Sequence, residues 1–254
     1  MQVGFGSGSL WGAVGQFADG SIPATPTIVK VGTLQEWSLD VHWDIRQLYG
    51  GFDSPVAIGR GKARYPLKFK FAQINANVLN ALVFGVPGQP SAGETLMAED
   101  EPHTIPASSP HEIAVTPPDS GTFAADWGVR YASSGLTLAR VAGAPSSGQY
   151  SVNAGVYSFA ASDVNAAILI SYEYTVPGGY TVQVSRQLLG SLPTFKFFGK
   201  VMFAGRQMTV KMNQVVASKL SMQTKLDDFM IPEIDAEAFA DASGVVMHLS
   251  MVEL

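Results

Sequence analysis

The chain has 254 residues, a formal net charge of −5 and no cysteine. That length accommodates one large or two modest domains with an ample core. The missing thiols exclude disulfides, thiolate metal sites and cysteine nucleophiles, and fit assembly in a reducing cytoplasm. The mild acidity argues against a dedicated nucleic-acid binder built on a basic face.

Charged residues make up 15% of the chain, against roughly 25% in an average soluble domain. Such a surface is explained if much of it is buried against neighbours. The first twenty residues lack the basic stretch and unbroken apolar core of a signal peptide. No apolar run approaches the roughly 18–20 residues that span a bilayer, so no membrane insertion is expected.

In chain order, residues 1–27 read as a Gly/Ser/Pro-rich arm carrying single aromatics, Phe5, Trp11 and Phe17. It is either a free terminus or an arm docking those rings on a neighbouring subunit. Gln35 to Asp44 then alternates, with Gln35, Trp37, Leu39, Val41 and Trp43 on one face and Glu36, Ser38, Asp40, His42 and Asp44 on the other. Period-two alternation makes one face pack and the other meet water. Lys62 to Phe71 repeats the pattern, setting Ala63, Tyr65, Leu67, Phe69 and Phe71 against Lys62, Arg64, Lys68 and Lys70. An acidic and a basic strand of this kind can pair across an antiparallel ladder. Between them the glycine-punctuated segment from Asp44 to Gly61 reads as a long loop. It carries Tyr49, Phe52 and Ile58, which are costly to leave in water, beside Asp53 and Arg60.

Ile74, Val78, Leu79, Leu82 and Val83 recur at helical spacing. Asn75 or Asn77 is available as N-cap, and Gly85 as the C-terminal stop. From residue 88 to 182 the composition turns Pro/Gly/Ser-dense. Short strands are expected at about Gly128–Tyr131, Leu136–Val141, Tyr150–Val152, Val156–Phe159 and Ala167–Val176, which reads as an inserted β-domain. The earlier patterning returns afterwards, so residues 28–87 and 183–254 form one core. Phe195 to Met212 reads as a hairpin and Leu220 with Met222 as the start of another extended run. Ile234 to Glu253 reads as a terminal hairpin about the turn Asp241–Gly244.

Chemistry-bearing residues are sparse. Glu99, Asp100, Glu101, His103, His111 and Glu112 match no compact metal-ligand spacing, and the intervening prolines suggest a solvated acidic loop. His42 lies on a polar strand face. Ser133, Ser134, Ser146 and Ser147 lack a nucleophile-elbow context. The glycines around Gly59 and Gly61 are not followed by the Gly-Lys-Ser/Thr of a phosphate loop. No cofactor and no enzymatic activity are expected.

Three segments, RQLYGGFDSPVAIGRGKA with FKFAQINANVLNALVFG, GVYSFAASDVNAAILISYEY, and LDDFMIPEIDAEAFADASGVVMHLSMVE, together resemble the bacteriophage tail tube (major tail) protein family. The size of the middle insertion departs from that pattern. The resemblance implies a two-sheet β-sandwich or barrel with one flanking α-helix, plus the inserted β-domain on the outer surface. It also implies a structural virion protein assembled in the host cytoplasm, with hexameric rings whose strands join into a ring-shaped barrel, stacked into a tube. Its implied partners are further copies, a tape measure protein, a tail terminator and DNA in transient, non-specific passage. Under this resemblance Glu36, Ser38, Asp40 and His42 would face the lumen, where carboxylates repel the DNA backbone. Asp44, Tyr49, Phe52, Asp53, Ile58 and Arg60 would form a ring-stacking loop. Lys62, Arg64, Lys68 and Lys70, with Lys196 and Lys200, oppose an acidic lumen unless they pair with neighbouring carboxylates. Two further readings are a carbohydrate-binding, adhesin-like β module using Trp127 and Tyr131, and a small hydrolase, for which no triad or carboxylate pair is assembled.

Overall fold

The computed structural model describes residues 8–203 and 206–251. The protein is mainly β, built from several largely antiparallel sheets, none of which closes into a barrel among the described residues. It divides into two compact units, Met1–Pro90 with Val182–Leu254, and Ser91–Thr181.

The first unit holds β1 (Ser9–Gln16), β2 (Ile28–Lys30), β3 (Thr33–Leu39), β4 (His42–Tyr49), β5 (Pro55–Arg64) and β6 (Pro66–Gln73), then β14 (Thr194–Phe203), β15 (Arg206–Ser221), β16 (Glu233–Ala238) and β17 (Met247–Ser250). Its main sheet runs β2-β1-β14-β15-β16-β6-β3, with β17 also on β15. The inward rows are the apolar ones: Leu67, Phe69 and Phe71 on β6, Phe195 and Phe197 on β14, Val210, Met212 and Val215 on β15, and Ile234 and Ala236 on β16 are all buried. Phe197 is the hub, with its ring 5.3 Å from Phe69 and 5.8 Å from Trp37.

A helical segment closes this face. Asn75 caps it, its side chain accepting the Val78 amide at 2.8 Å. One α-turn, Ala76–Val78, passes directly into a π-helical turn, Leu79–Val83, and buries Val78 and Leu82. The π-turn widens the repeat, so the segment is shorter and less regular than the apolar spacing suggests. Gly85 ends it at φ +61°, where an added Cβ would lie 2.3 Å from the Pro193 ring.

Several expectations are corrected. Ser9–Gln16 is not part of an arm: it is strand β1, flanked by β2 and β14, with Leu10, Ala13 and Val14 buried. Gln35 does not share the apolar face. The register steps from Leu34↔Phe71 to Glu36↔Lys70, so Gln35 is a bulge that turns outward while Leu34 and Trp37 both point in. Met222 begins no strand and is exposed. The C-terminal strands form no hairpin with each other. β16 pairs with Val215–Ser221 and β17 with Thr209–Met212, end to end along one edge of the long β15.

The second unit holds β7 (Ser91–Thr104), β8 (Glu112–Ala114), β9 (Thr122–Tyr131), β10 (Ala139–Arg140), β11 (Gln149–Asn153), β12 (Val156–Phe159) and β13 (Ala167–Thr181). They make two sheets, β7-β13-β9 and β10-β11-β12-β8. Alternating Ile168, Ile170, Tyr172, Tyr174 and Val176 of β13 pack with Ile113, Tyr150, Tyr157 and Phe159 in one shared core. That is a small sandwich.

Residues 91–104 correct the expected acidic loop: they form the long strand β7. Leu96 and Ala98 pack on the core, and a bulge at Asp100 (φ +55°) lets its carboxylate meet Arg130 bidentately. Glu101 receives the Tyr172 hydroxyl at 2.6 Å and lies 2.9 Å from the His103 ring. Strand pairing thus outweighs the weak β-propensity of these charged residues.

At the centre of this unit Asp126, its side chain 3% exposed, accepts hydrogen bonds from the hydroxyls of Tyr150 (2.7 Å) and Tyr157 (3.0 Å) and from the Gly128 amide (3.0 Å). Burial first, and the Asp126 carboxylate second, push the phenols of Tyr150 and Tyr157 well above their ordinary range.

Truncating Phe197 to Ala removes the hub ring and is expected to cost about 3–5 kcal/mol in denaturant unfolding. Asp126→Ala strips two buried hydroxyls of their acceptor and should cost about 2–4 kcal/mol in the same assay. The raised phenols stay neutral in the folded chain while the unfolded chain ionises near pH 10. Stability is therefore expected to be intact below about pH 10 and to fall above it, as a pH series of unfolding curves would show.

Candidate functional site

β4 and β5 form a separate two-stranded ribbon that continues the β3–β6 pair beyond a break at Asp40, Val41 and Tyr65. The Asp40 amide still donates to Pro66 O at 3.1 Å, so the strands leave the sheet together. They then pair only with each other, from His42↔Arg64 to Tyr49↔Pro55. Eight residues of β4 at about 3.4 Å each give an arm of about 27 Å.

The segment expected as a loop is therefore a hairpin. Asp44 and Tyr49 lie on β4, Ile58 and Arg60 on β5, and Phe52 and Asp53 in the turn. The glycines that suggest a loop are partly strand residues. Gly59 stands opposite Arg46, and a Cβ at Gly61 would touch Asp44 at 3.3 Å.

Almost nothing on the ribbon is covered. Phe52 is 83% exposed, Val56 69%, Leu48 64%, and Trp43, Ile45, Tyr49 and Ile58 are exposed too. Apolar side chains lie on both faces of the ribbon, so neither face is the purely polar one that alternation would give. Local contacts are few: Arg60 sits 4.5 Å over the Trp43 ring, and the Tyr49 hydroxyl donates to Gln47. An isolated two-stranded hairpin is only marginally stable in water, and apolar patches of this kind mark interaction surfaces.

The four expected lumen residues do not form one strip. Glu36 and Ser38 lie on the outer face of the main sheet, Asp40 sits in the break and His42 belongs to the ribbon. Glu36 spends its charge on Lys70 at 2.7 Å. Its neighbours do likewise: Lys68 meets Glu233 at 2.9 Å and Asp235 at 3.8 Å, and Lys219 meets Asp235 at 3.9 Å. The hydrogen bond from Lys68 holds the Glu233 carboxyl below its ordinary range, and Lys68 is raised in turn.

Of the expected arm contacts, Phe5 lies outside the described residues, Trp11 stands on β1 at 41% exposure, and Phe17 packs against the core. Trp127 is 63% exposed, turned out by a bulge that leaves it between Gly128↔Ser171 and Asp126↔Tyr172. Its indole donates to Glu173 at 3.1 Å. Tyr131 is partly buried against the core, so the two rings make no shared platform. Among the described residues no group of three or more His, Asp or Glu is arranged to hold a metal ion.

No protein-family model matches the chain, and no curated protein matches it.

Replacing Leu48, Phe52 and Ile58 together by Ser should change the unfolding free energy of the dissociated chain by no more than about 1.5 kcal/mol, since exposed substitutions stay within about 0.5 kcal/mol each. A larger loss in denaturant titration would mean that these side chains are packed within the chain itself.

Proposed function

We propose that the chain is a structural virion protein, the repeating subunit of a phage tail tube. The observation that carries this reading is the ribbon His42–Tyr49/Pro55–Arg64, an arm with apolar side chains on both faces and no covering element among the described residues. Such an arm makes sense on a chain that meets other copies of itself. Burying one Phe or Leu side chain fully contributes about 1.5–3 kcal/mol, so a handful on each arm suffices to hold stacked rings. The low charge content and the exposed Leu188, Leu189, Leu226 and Phe229 outside the ribbon support further copy-to-copy contact.

In this reading six copies close a ring in which main-sheet strands of neighbours continue one another, which removes their open edges. The ribbon reaches the adjacent ring, and a tape measure protein and a terminator define the two ends. DNA passes through the lumen.

Negative-stain microscopy of the concentrated protein tests this. The full chain should give rings or tubes, whereas deletion of Tyr49 to Ile58 should leave folded rings that do not stack. Monomer at every concentration would overturn the assembly reading, and unimpaired tube growth by the deletion would overturn the role of the ribbon.

A further inference from the structure

The outer face of the main sheet is electrically divided. On β3, β6, β16 and the end of β15 each lysine has a carboxylate partner, as described above. On β1, β2, β14, β17 and residues 206–213 of β15 there is no Asp or Glu at all. The register there sets Lys30, Trp11, Phe198, Lys211 and His248 in one row across five strands. At about 4.8 Å per strand the row spans about 19 Å. Lys196 and Lys200 flank Phe198 on its own strand, each about 7 Å along it. None of these four lysines has an ion pair among the described residues.

At the centre of the lysines Trp11 and Phe198 stand side by side, 41% and 39% exposed. The opposite side of the same strands is core, so the rings are held on a rigid support. The second unit carries the balancing charge: Ser91–Thr181 has nine Asp and Glu residues, two arginines and no lysine.

We infer that this half of the sheet face binds single-stranded nucleic acid, with bases stacked on Trp11 and Phe198 and phosphates held by Lys30, Lys196, Lys200 and Lys211. Cations tracking a backbone around exposed aromatic rings are what sequence-tolerant single-strand binding requires. A carboxylate-bearing protein partner would use the lysines and leave the rings idle. The inference goes beyond the tube reading and does not depend on it.

The test is fluorescence anisotropy of a labelled oligodeoxythymidine with the full chain, across a salt series. Three or four phosphate contacts give a slope of log K against log salt of about −2 to −3, at about −0.7 per contact. Lys196→Gln with Lys200→Gln should weaken binding and bring the slope about 1.4 closer to zero. Trp11→Ala, or Phe198→Ser should the first variant not fold, should weaken binding about tenfold. Lys68→Gln with Lys70→Gln should leave it unchanged.

Absence of binding at low salt overturns the inference. So does polyglutamate binding as tight as the oligonucleotide and indifferent to the aromatic variants, which would mark an acidic-protein contact. Loss of self-association in the Lys196/Lys200 variant would make the face a subunit interface instead, and also overturns it. Rings that bind no oligonucleotide would sink this inference alone, whereas oligonucleotide binding by a permanent monomer would sink the tube reading alone.

Discussion

The constraint on which the rest depends is the uncovered apolar ribbon. A chain that makes a well-packed sheet, with Phe71, Phe197 and Met212 almost fully buried, also projects Phe52, Val56 and Leu48 into water. The ribbon continues the β3–β6 pair beyond the break at Asp40, Val41 and Tyr65, where the strands leave the main sheet. What changes is the covering layer. The helical segment carrying Val78 and Leu82 covers the main sheet over β1, β2 and β15, and nothing among the described residues covers β4 and β5. In the proposed reading a second copy of the chain supplies that cover.

The electrostatics show a related division. The formal charge of −5 conceals an acidic second unit and a first unit that is slightly basic, with Lys30, Lys196, Lys200 and Lys211 gathered on one half of one sheet face. The net charge says nothing of this clustering, because it averages over units that separate the signs. Where carboxylates do stand opposite lysines, as at Glu36 and Lys70, the ladder is neutralised locally, and these exposed pairs contribute little to stability.

Alternation in the sequence identified the right face on β6, where Leu67, Phe69 and Phe71 are inward as the pattern requires, and failed on β3 only where the bulge at Gln35 shifts the register. The same alternation in Ala63 and Trp43 led nowhere, because period two assigns a face without saying whether anything covers it. The Gly85 stop, and an N-cap narrowed to Asn75 or Asn77 of which the structure uses Asn75, were legible because each depends on local geometry. The π-turn at Leu79–Val83, the bulges at Gln35 and Asp100, and the shared edge of β15 for β16 and β17 were not legible. The bulges and the shared edge are decided by pairing with strands distant in sequence. Asp126 was invisible for the same reason, since its partners Tyr150 and Tyr157 come from another sheet.

Hydrogen–deuterium exchange of the full chain, compared between dilute and concentrated solution, tests the central claim most directly. Amides of residues 42–64 that lack a partner strand should exchange rapidly in the dissociated chain and become protected on self-association, while those of β6, β14 and β15 stay protected in both. Self-association that leaves the ribbon as fast-exchanging as in the dilute chain would contradict the account.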